Sequence, residues 1–157
     1  MSAELIVQLA EVADASAIVQ FLQRVRHETD YVVYDQETWT SEQQAKLIAQ
    51  YQQHPTALMV LAKVEEEVVG LLTLLPLGDE GTSVELGVVV AQAYWGYGIG
   101  SELMALGIDF AQESGIERLE LEVLKQNQAA QRLYRKFGFE QETELEQTLL
   151  YAYHFAK

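Results

Sequence analysis

The stretch from Val88 to Ser101 reads Val-Val-Val-Ala-Gln-Ala-Tyr-Trp-Gly-Tyr-Gly-Ile-Gly-Ser. A β-branched run passes through a glycine-rich turn straight into a segment of helical periodicity. Gly96, Gly98 and Gly100 let successive backbone N–H groups converge without Cβ obstruction. A helix start then adds its unpaired donors and the positive end of its dipole. Such a turn is an anion cradle suited to a pyrophosphate, although glycines also serve tight turns that bind nothing. Two glutamates near it sit in alternating contexts. Glu85 lies on the strand leading into the turn, opposite Val84, Leu86, Val88 and Val90, and Glu122 shares with Glu120 the face of Leu119–Val123 away from its leucines. An ordinary solvated role fits Glu85 as well as a catalytic one and fits Glu122 better. Tyr134 falls on an amphipathic segment where, by spacing alone, a core aromatic is expected.

Other chemistries are excluded by composition. The 157 residues include no cysteine, which removes disulfides, thiolate catalysis and thiolate-rich zinc sites. His27, His54 and His154 are scattered singly, without metal-ligand spacing, so no metal is expected. A formal charge of -14 argues against a nucleic-acid partner, because phosphate neutralisation needs clustered Lys and Arg. No apolar run approaches the roughly 18 residues of a membrane span, and Met1-Ser2-Ala3-Glu4 does not open a secretory leader. No membrane partner is expected, and the cytoplasm is the expected location. Length, the absence of repeats and the absence of Pro-, Gly- or Ser-rich linkers make residues 1–157 one domain.

The elements that must position these residues follow from periodicity. Glu4 to Leu9 reads as a strand. A helix follows from about Asp14, whose side chain can cap it, with Ile18, Leu22 and Val25 inward. A second helix starts near Ser41, with Ser41 and Gln44 at capping-box spacing and Leu47, Ile48 and Tyr51 in its stripe, and stops before Pro55. Strands are expected over Ala57–Val64 and Val68–Leu75 around the tip Glu65-Glu66-Glu67, and over Ser83–Val90. The helix after the glycine turn has Ile99, Leu103, Leu106 and Phe110 as its stripe and ends at Ser114-Gly115. Arg118–Leu124 alternates as a strand. Asn127 can cap a last helix with Ala130, Leu133, Tyr134 and Phe137 inward, before strands near Phe139–Glu144 and Leu149–Phe155. This order makes an α/β (α+β) mixed sheet of six to seven strands with about four helices on both faces.

Tyr94-Trp95-Gly96-Tyr97-Gly98-Ile99-Gly100-Ser101 resembles the coenzyme A pyrophosphate loop of the GNAT superfamily of N-acetyltransferases, Arg/Gln-x-x-Gly-x-Gly/Ala. Gly98 and Gly100 take its small positions, and Trp95 stands in place of the usual Arg or Gln. A second block, Asn127, Ala130, Tyr134, Gly138 and Phe139, matches at the spacing of the family, so the resemblance covers nearly the whole chain. It implies a mostly antiparallel sheet whose splayed central strand pair binds acetyl-CoA as co-substrate. The backbone around Val88, Val89 and Val90 would hold the pantetheine arm, and Trp95 to Ser101, with Gly96, Tyr97, Gly98, Ile99 and Gly100 between, the pyrophosphate. Asn127 and Ala130 would lie beside the arm.

The resemblance further implies Tyr134 as general acid to the leaving thiolate. A glutamate would then be general base to the attacking amine, directly or through water. Glu85 is the first choice and Glu122 the second. The acceptor, a small-molecule or peptide amine, would meet the variable segment from His27 to Thr40, where Tyr31, Tyr34 and Trp39 form a wall and Glu28, Asp30 and Asp35 face a cation. Homodimers are common among the proteins it resembles.

Two rivals fit less well. A dinucleotide fingerprint at Gly96-x-Gly98-x-x-Ser101, with Glu120 or Glu122 as the ribose acid, would need further parallel strands after the loop. A module that binds acyl-CoA without turning it over would have no use for Tyr134 and a central-strand glutamate.

Overall fold

The structure, a computed structural model, describes residues 4–28, 40–78 and 82–156. In chain order its elements are β1 (Leu5–Leu9), α1 (Ala15–Glu28), α2 (Ser41–Gln53), β2 (Leu58–Val64), β3 (Glu67–Leu77), β4 (Ser83–Val90), α3 (Ile99–Glu113), β5 (Arg118–Leu124), α4 (Gln128–Lys136), β6 (Glu140–Glu144) and β7 (Thr148–His154). The seven strands form one sheet in the order β1-β2-β3-β4-β5-β7-β6. Every seam is antiparallel except the central one, β4 against β5. The mixed sheet with helices on both faces is therefore as the alternation foretold.

Strands β2 and β3 are apolar at nearly every position because both of their faces are covered. Val60, Ala62, Leu72 and Leu74 pack on one side with Ile99, Leu103, Met104 and Tyr134 of α3 and α4. Met59, Leu61 and Leu71 pack on the other with Ile18, Phe21 and Val25 of α1 and Ile48 of α2. The strand members of this second cluster come from β2, β3 and β4, so α1 and α2 cover that part of their face and leave β5, β6 and β7 uncovered by it.

Local chemistry and packing move four of the expected features. Asp14 does not cap α1: its carboxylate accepts from the Glu11 N–H at 2.8 Å and pairs with Lys63 at 3.2 Å, closing a 3-10 turn over Val12–Asp14. The capping box of α2 is Thr40 with Gln43, not Ser41 with Gln44. Thr40 Oγ1 accepts from the Gln43 N–H at 3.1 Å and Gln43 Oε1 from the Thr40 N–H at 2.9 Å, while Gln44 is buried and donates to the Met59 sulfur.

The third is the stripe of α3, which runs Ile99, Leu103, Gly107 and Ala111 with Met104 beside it and leaves Leu106 exposed. Gly107 is the reason. A Cβ there would stand 2.9 Å from Leu72 Cδ2, so the helix touches the sheet along its Gly107 ridge and turns Leu106 outward. In α1, Phe21 rather than Leu22 joins Ile18 and Val25 in the fully buried row.

The central seam is short. β4 and β5 pair only at Ser83 with Arg118, Val84 with Leu119 and Glu85 with Glu120, after which β4 stays with β3 to Val90 and β5 with β7 to Leu124. The expected splay is this gap.

Candidate active site

At the wide end of the gap the chain leaves β4 and winds through consecutive turns, Ala91 O to Tyr94 N–H at 2.9 Å and Gln92 O to Trp95 N–H at 3.1 Å. Gly96 and Gly98 then adopt φ of 86° and 83°, the left-handed region that side chains resist. A Cβ at either would meet nothing within 4 Å, so the glycines answer a conformational demand and face open space. Gly98 is the N-cap of α3 and offers no side chain to its first turn, where the first helical bond is Glu102 N–H to Gly98 O. The N–H groups of Ile99, Gly100 and Ser101 precede that bond and point out of the helix end as donors. Ile99 is itself buried, so it offers backbone alone, whereas Tyr97 is 76% exposed.

Gly100 has a different task. A Cβ there would come within 3.6 Å of Leu133 Cδ2 and 3.9 Å of Val90 Cγ2, so the end of β4, the start of α3 and the face of α4 converge on it. The two blocks that were separate in sequence are neighbours here. On α4, Asn127 accepts from the Ala130 N–H at 3.2 Å as the helix N-cap, which occupies the Ala130 amide. Tyr134 is 8% exposed, against Phe139 and edge-on to Tyr151 with ring centroids 6.4 Å apart. Gln131, which sequence reading passed over, holds α4 to the end of β5 through Leu124 O at 3.1 Å and Lys125 O at 2.9 Å.

Strand alternation decides which backbone groups face the gap. The Ala91 N–H donates to Val69 O at 2.8 Å, so Ala91 and then Val89, paired with Leu71, direct their groups to β3. Leu86, Val88 and Val90 therefore direct theirs into the gap. The Val90 carbonyl is already engaged: the Trp95 indole folds back and donates to it at 2.7 Å.

The opposite side of the gap is acidic. Glu85 and Glu120 are register partners on the last paired rung, and Glu122 is two residues further along β5. Glu85 is open to solvent yet partly desolvated by the sheet; that loss of hydration, then the charges of Glu120 and Glu122, raise its carboxyl above the ordinary range. Arg118 gathers the neighbours, donating to Glu120 at 2.9 Å and to Glu142 at 2.8 Å, with the His154 Nε2 2.9 Å from the same Glu142 carboxylate. The hydrogen bond from Arg118, followed by that from His154, lowers Glu142 to about 2. Sequence reading missed this hub, because its members lie on three strands; only the pairing register puts Arg118 opposite His154.

Glu28, expected to face the acceptor, has its carboxylate on the Gln92 N–H at 2.9 Å, tying the end of α1 to the turn before the cradle. Asp30, Tyr31, Tyr34, Asp35 and Trp39 lie outside the described residues, as does the side chain of His27. Among the described residues, no group of three or more His, Asp or Glu could hold a metal ion, and no helix is long and apolar enough to cross a membrane.

Known proteins share the family pattern and the fold. The model of the acetyltransferase (GNAT) family matches residues 21–139. A GNAT-family acetyltransferase from Streptococcus pneumoniae superposes with a TM-score of 0.91 at 29% identity, over 98% of this chain and 100% of that one. The phosphinothricin N-acetyltransferase of Streptomyces coelicolor is 32% identical over 113 residues, 69% of this chain and 66% of its own length. The yncA protein of Salmonella typhimurium, described with its cofactor acetyl-CoA, shares the fold at a TM-score of 0.83 and 19% identity, over 96% of this chain and 93% of that one. The matched stretch spans from 21% to 66% of the length of the curated relatives.

Proposed function

This chain belongs to the acetyltransferase (GNAT) family, and we propose that it works as a single domain that moves an acetyl group from acetyl-CoA to a primary amine within one ternary complex. The observation that carries this reading is the convergence at Gly100, which sets an uncapped helix start, the open edge of β4 and the Tyr134 helix around one gap. The yncA structure, with acetyl-CoA bound to the same fold, supports it.

In this reading the pyrophosphate of coenzyme A lies on the N–H groups from Gly96 to Ser101, where the helix dipole favours its charge. The pantetheine arm lies along β4 as an added strand, on the backbone groups of Val88 and the N–H of Val90 that face the gap. The thioester then sits between α4 and the acidic face. The amine nitrogen attacks the carbonyl carbon, and as the C–S bond breaks the electron pair leaves with sulfur. Glu85 takes the proton from the amine, directly or through water, and Tyr134 gives one to the thiolate. Glu85 is favoured over Glu122 because it stands where the central seam opens, and its raised carboxyl makes it a stronger base than an ordinary glutamate.

The acceptor is a small-molecule or peptide amine. The acidic floor suits an amine that arrives with positive charge, as does the overall charge of -14. Free-thiol release from acetyl-CoA, measured against a panel of small amines, polyamines and peptides with calorimetry in parallel, tests the reading. Release that requires one class of amine is the expected result. Cofactor binding without release under any amine would make the chain a binding module instead, and no binding would remove the cradle from the account.

A further inference from the structure

The turn that leads from β4 to the cradle opens at Ala91, a residue whose side chain cannot cap it. Its first N–H, at Gln92, has no acceptor within the turn. The acceptor comes from 64 residues away: Glu28 Oε1, at 2.9 Å, on the last residue of α1. The other carboxylate oxygen of Glu28 faces Arg24 Nε at 3.7 Å, one helical turn back, and the Glu28 side chain is 23% exposed. Arg24 in turn donates to Glu67 and, at 3.4 Å, to the Val68 carbonyl, where β3 begins. The Ala91 N–H closes the figure on Val69 O at 2.8 Å. The end of α1, the start of β3 and the turn are thus joined pairwise, just ahead of the left-handed Gly96.

We propose that Glu28 is a positioning residue for the acyl donor rather than a counter-ion for the acceptor amine: by capping the turn at Gln92 it sets where the chain enters the cradle. The inference rests on the reading that the loop from Gly96 to Ser101 holds the pyrophosphate. The exit side of that loop is fixed by α3, which packs on Leu72 at Gly107 and beside Leu133 at Gly100. The entry side hangs on the turn, whose Gln92, Ala93 and Trp95 are exposed, so apart from Tyr94 it is held by bonds rather than by packing. An entry left loose must be ordered when the anion binds, and that cost is subtracted from donor affinity. A carboxylate used in this way contributes its oxygen, while its charge faces Arg24.

Glu28→Gln keeps an acceptor oxygen and removes the charge; Glu28→Met removes both at similar length. Calorimetry with acetyl-CoA, and steady-state kinetics in which the best amine is varied at saturating acetyl-CoA, read the two substrates apart, with Tm followed in parallel. The expected result is an acetyl-CoA Kd raised about 3- to 10-fold in Glu28→Met and restored to within about twofold in Glu28→Gln, with kcat and the amine KM unchanged in both. Gln92→Pro deletes the same donor from the other side, on a backbone already suited to it, since Ala91 has φ of -58° and ψ of 140°. It is expected to reproduce the loss of Glu28→Met, and the double variant to lose no more than either one. An unchanged acetyl-CoA Kd in Glu28→Met would overturn the proposal, as would additive losses in the double variant or an equal loss in Glu28→Gln, which would assign the effect to charge. A raised amine KM in both Glu28 variants, with the acetyl-CoA Kd intact, would overturn it by returning Glu28 to the acceptor. Failure of the underlying reading shows separately, as the absence of acetyl-CoA binding by the unsubstituted protein, and takes this inference with it.

Discussion

The two sides of the central gap are built from different materials. The cradle side is made by backbone: left-handed glycines, an uncapped helix start and strand groups with no partner. The acidic side is made by side chains from strands distant in the chain, Glu85 on β4, Glu120 and Glu122 on β5, Glu142 on β6 and His154 on β7. A surface made of backbone binds the same group whatever its side chains are, while a surface made of side chains changes partner with each substitution. In the proposed function the constant co-substrate lies on the first, and the variable amine on the second.

Substitutions can break this division. Gly98→Glu strikes the backbone side alone: it forces a side chain into φ 83° and sets a carboxylate beside the N–H donors of the helix start, where the proposed pyrophosphate would lie. Acetyl-CoA binding by calorimetry is expected to disappear, with the circular dichroism spectrum retained; normal binding would put the cradle elsewhere. Tyr134→Phe removes one hydroxyl at the boundary. It is expected to lower kcat by about 100-fold or more with acetyl-CoA affinity nearly unchanged, and equal turnover would remove Tyr134 from the mechanism.

Glu85→Gln tests the side-chain half. A carboxylate whose folded-state pKa is raised loses its basic form as pH falls through that raised value, so the acid limb of kcat/KM should lie above the ordinary carboxylate range. The variant is expected to lose about 100-fold in rate at neutral pH and to lose that limb; a limb that persists in Glu85→Gln and vanishes in Glu122→Gln would exchange the two. The smallest effect is expected at the hub. Because Glu142 is depressed to about 2, its stabilising contribution is present above its ordinary 4.5 and is lost as pH falls through the interval between. Glu142→Gln should therefore flatten the dependence of Tm on pH across that interval, leaving acetyl-CoA affinity intact.

The same division explains what could be read from sequence. Gly96, Gly98 and Asn127 are legible because a glycine turn and a helix cap are local, each set by neighbours a few residues away. Strand bounds came within two residues for the same reason, and Glu85 fell on the correct face because alternation is local too. Leu106 failed because the buried ridge of α3 is decided by Leu72, which presses on Gly107 from another element. The hub around Arg118 was invisible because Glu142 and His154 are 24 and 36 residues away, and nothing short of the pairing register unites them.

The contact at Gly107 reaches further than packing. It lies eight residues into the helix from Ile99, so about 12 Å separates it from the donors at the helix start. A helix seated by a carbon-to-carbon approach has no room to slide along its axis or roll, since either motion would drive a bulkier neighbour into Leu72. The height of the helix-start donors above the strand gap is thus gauged from the far half of the helix, about 12 Å away.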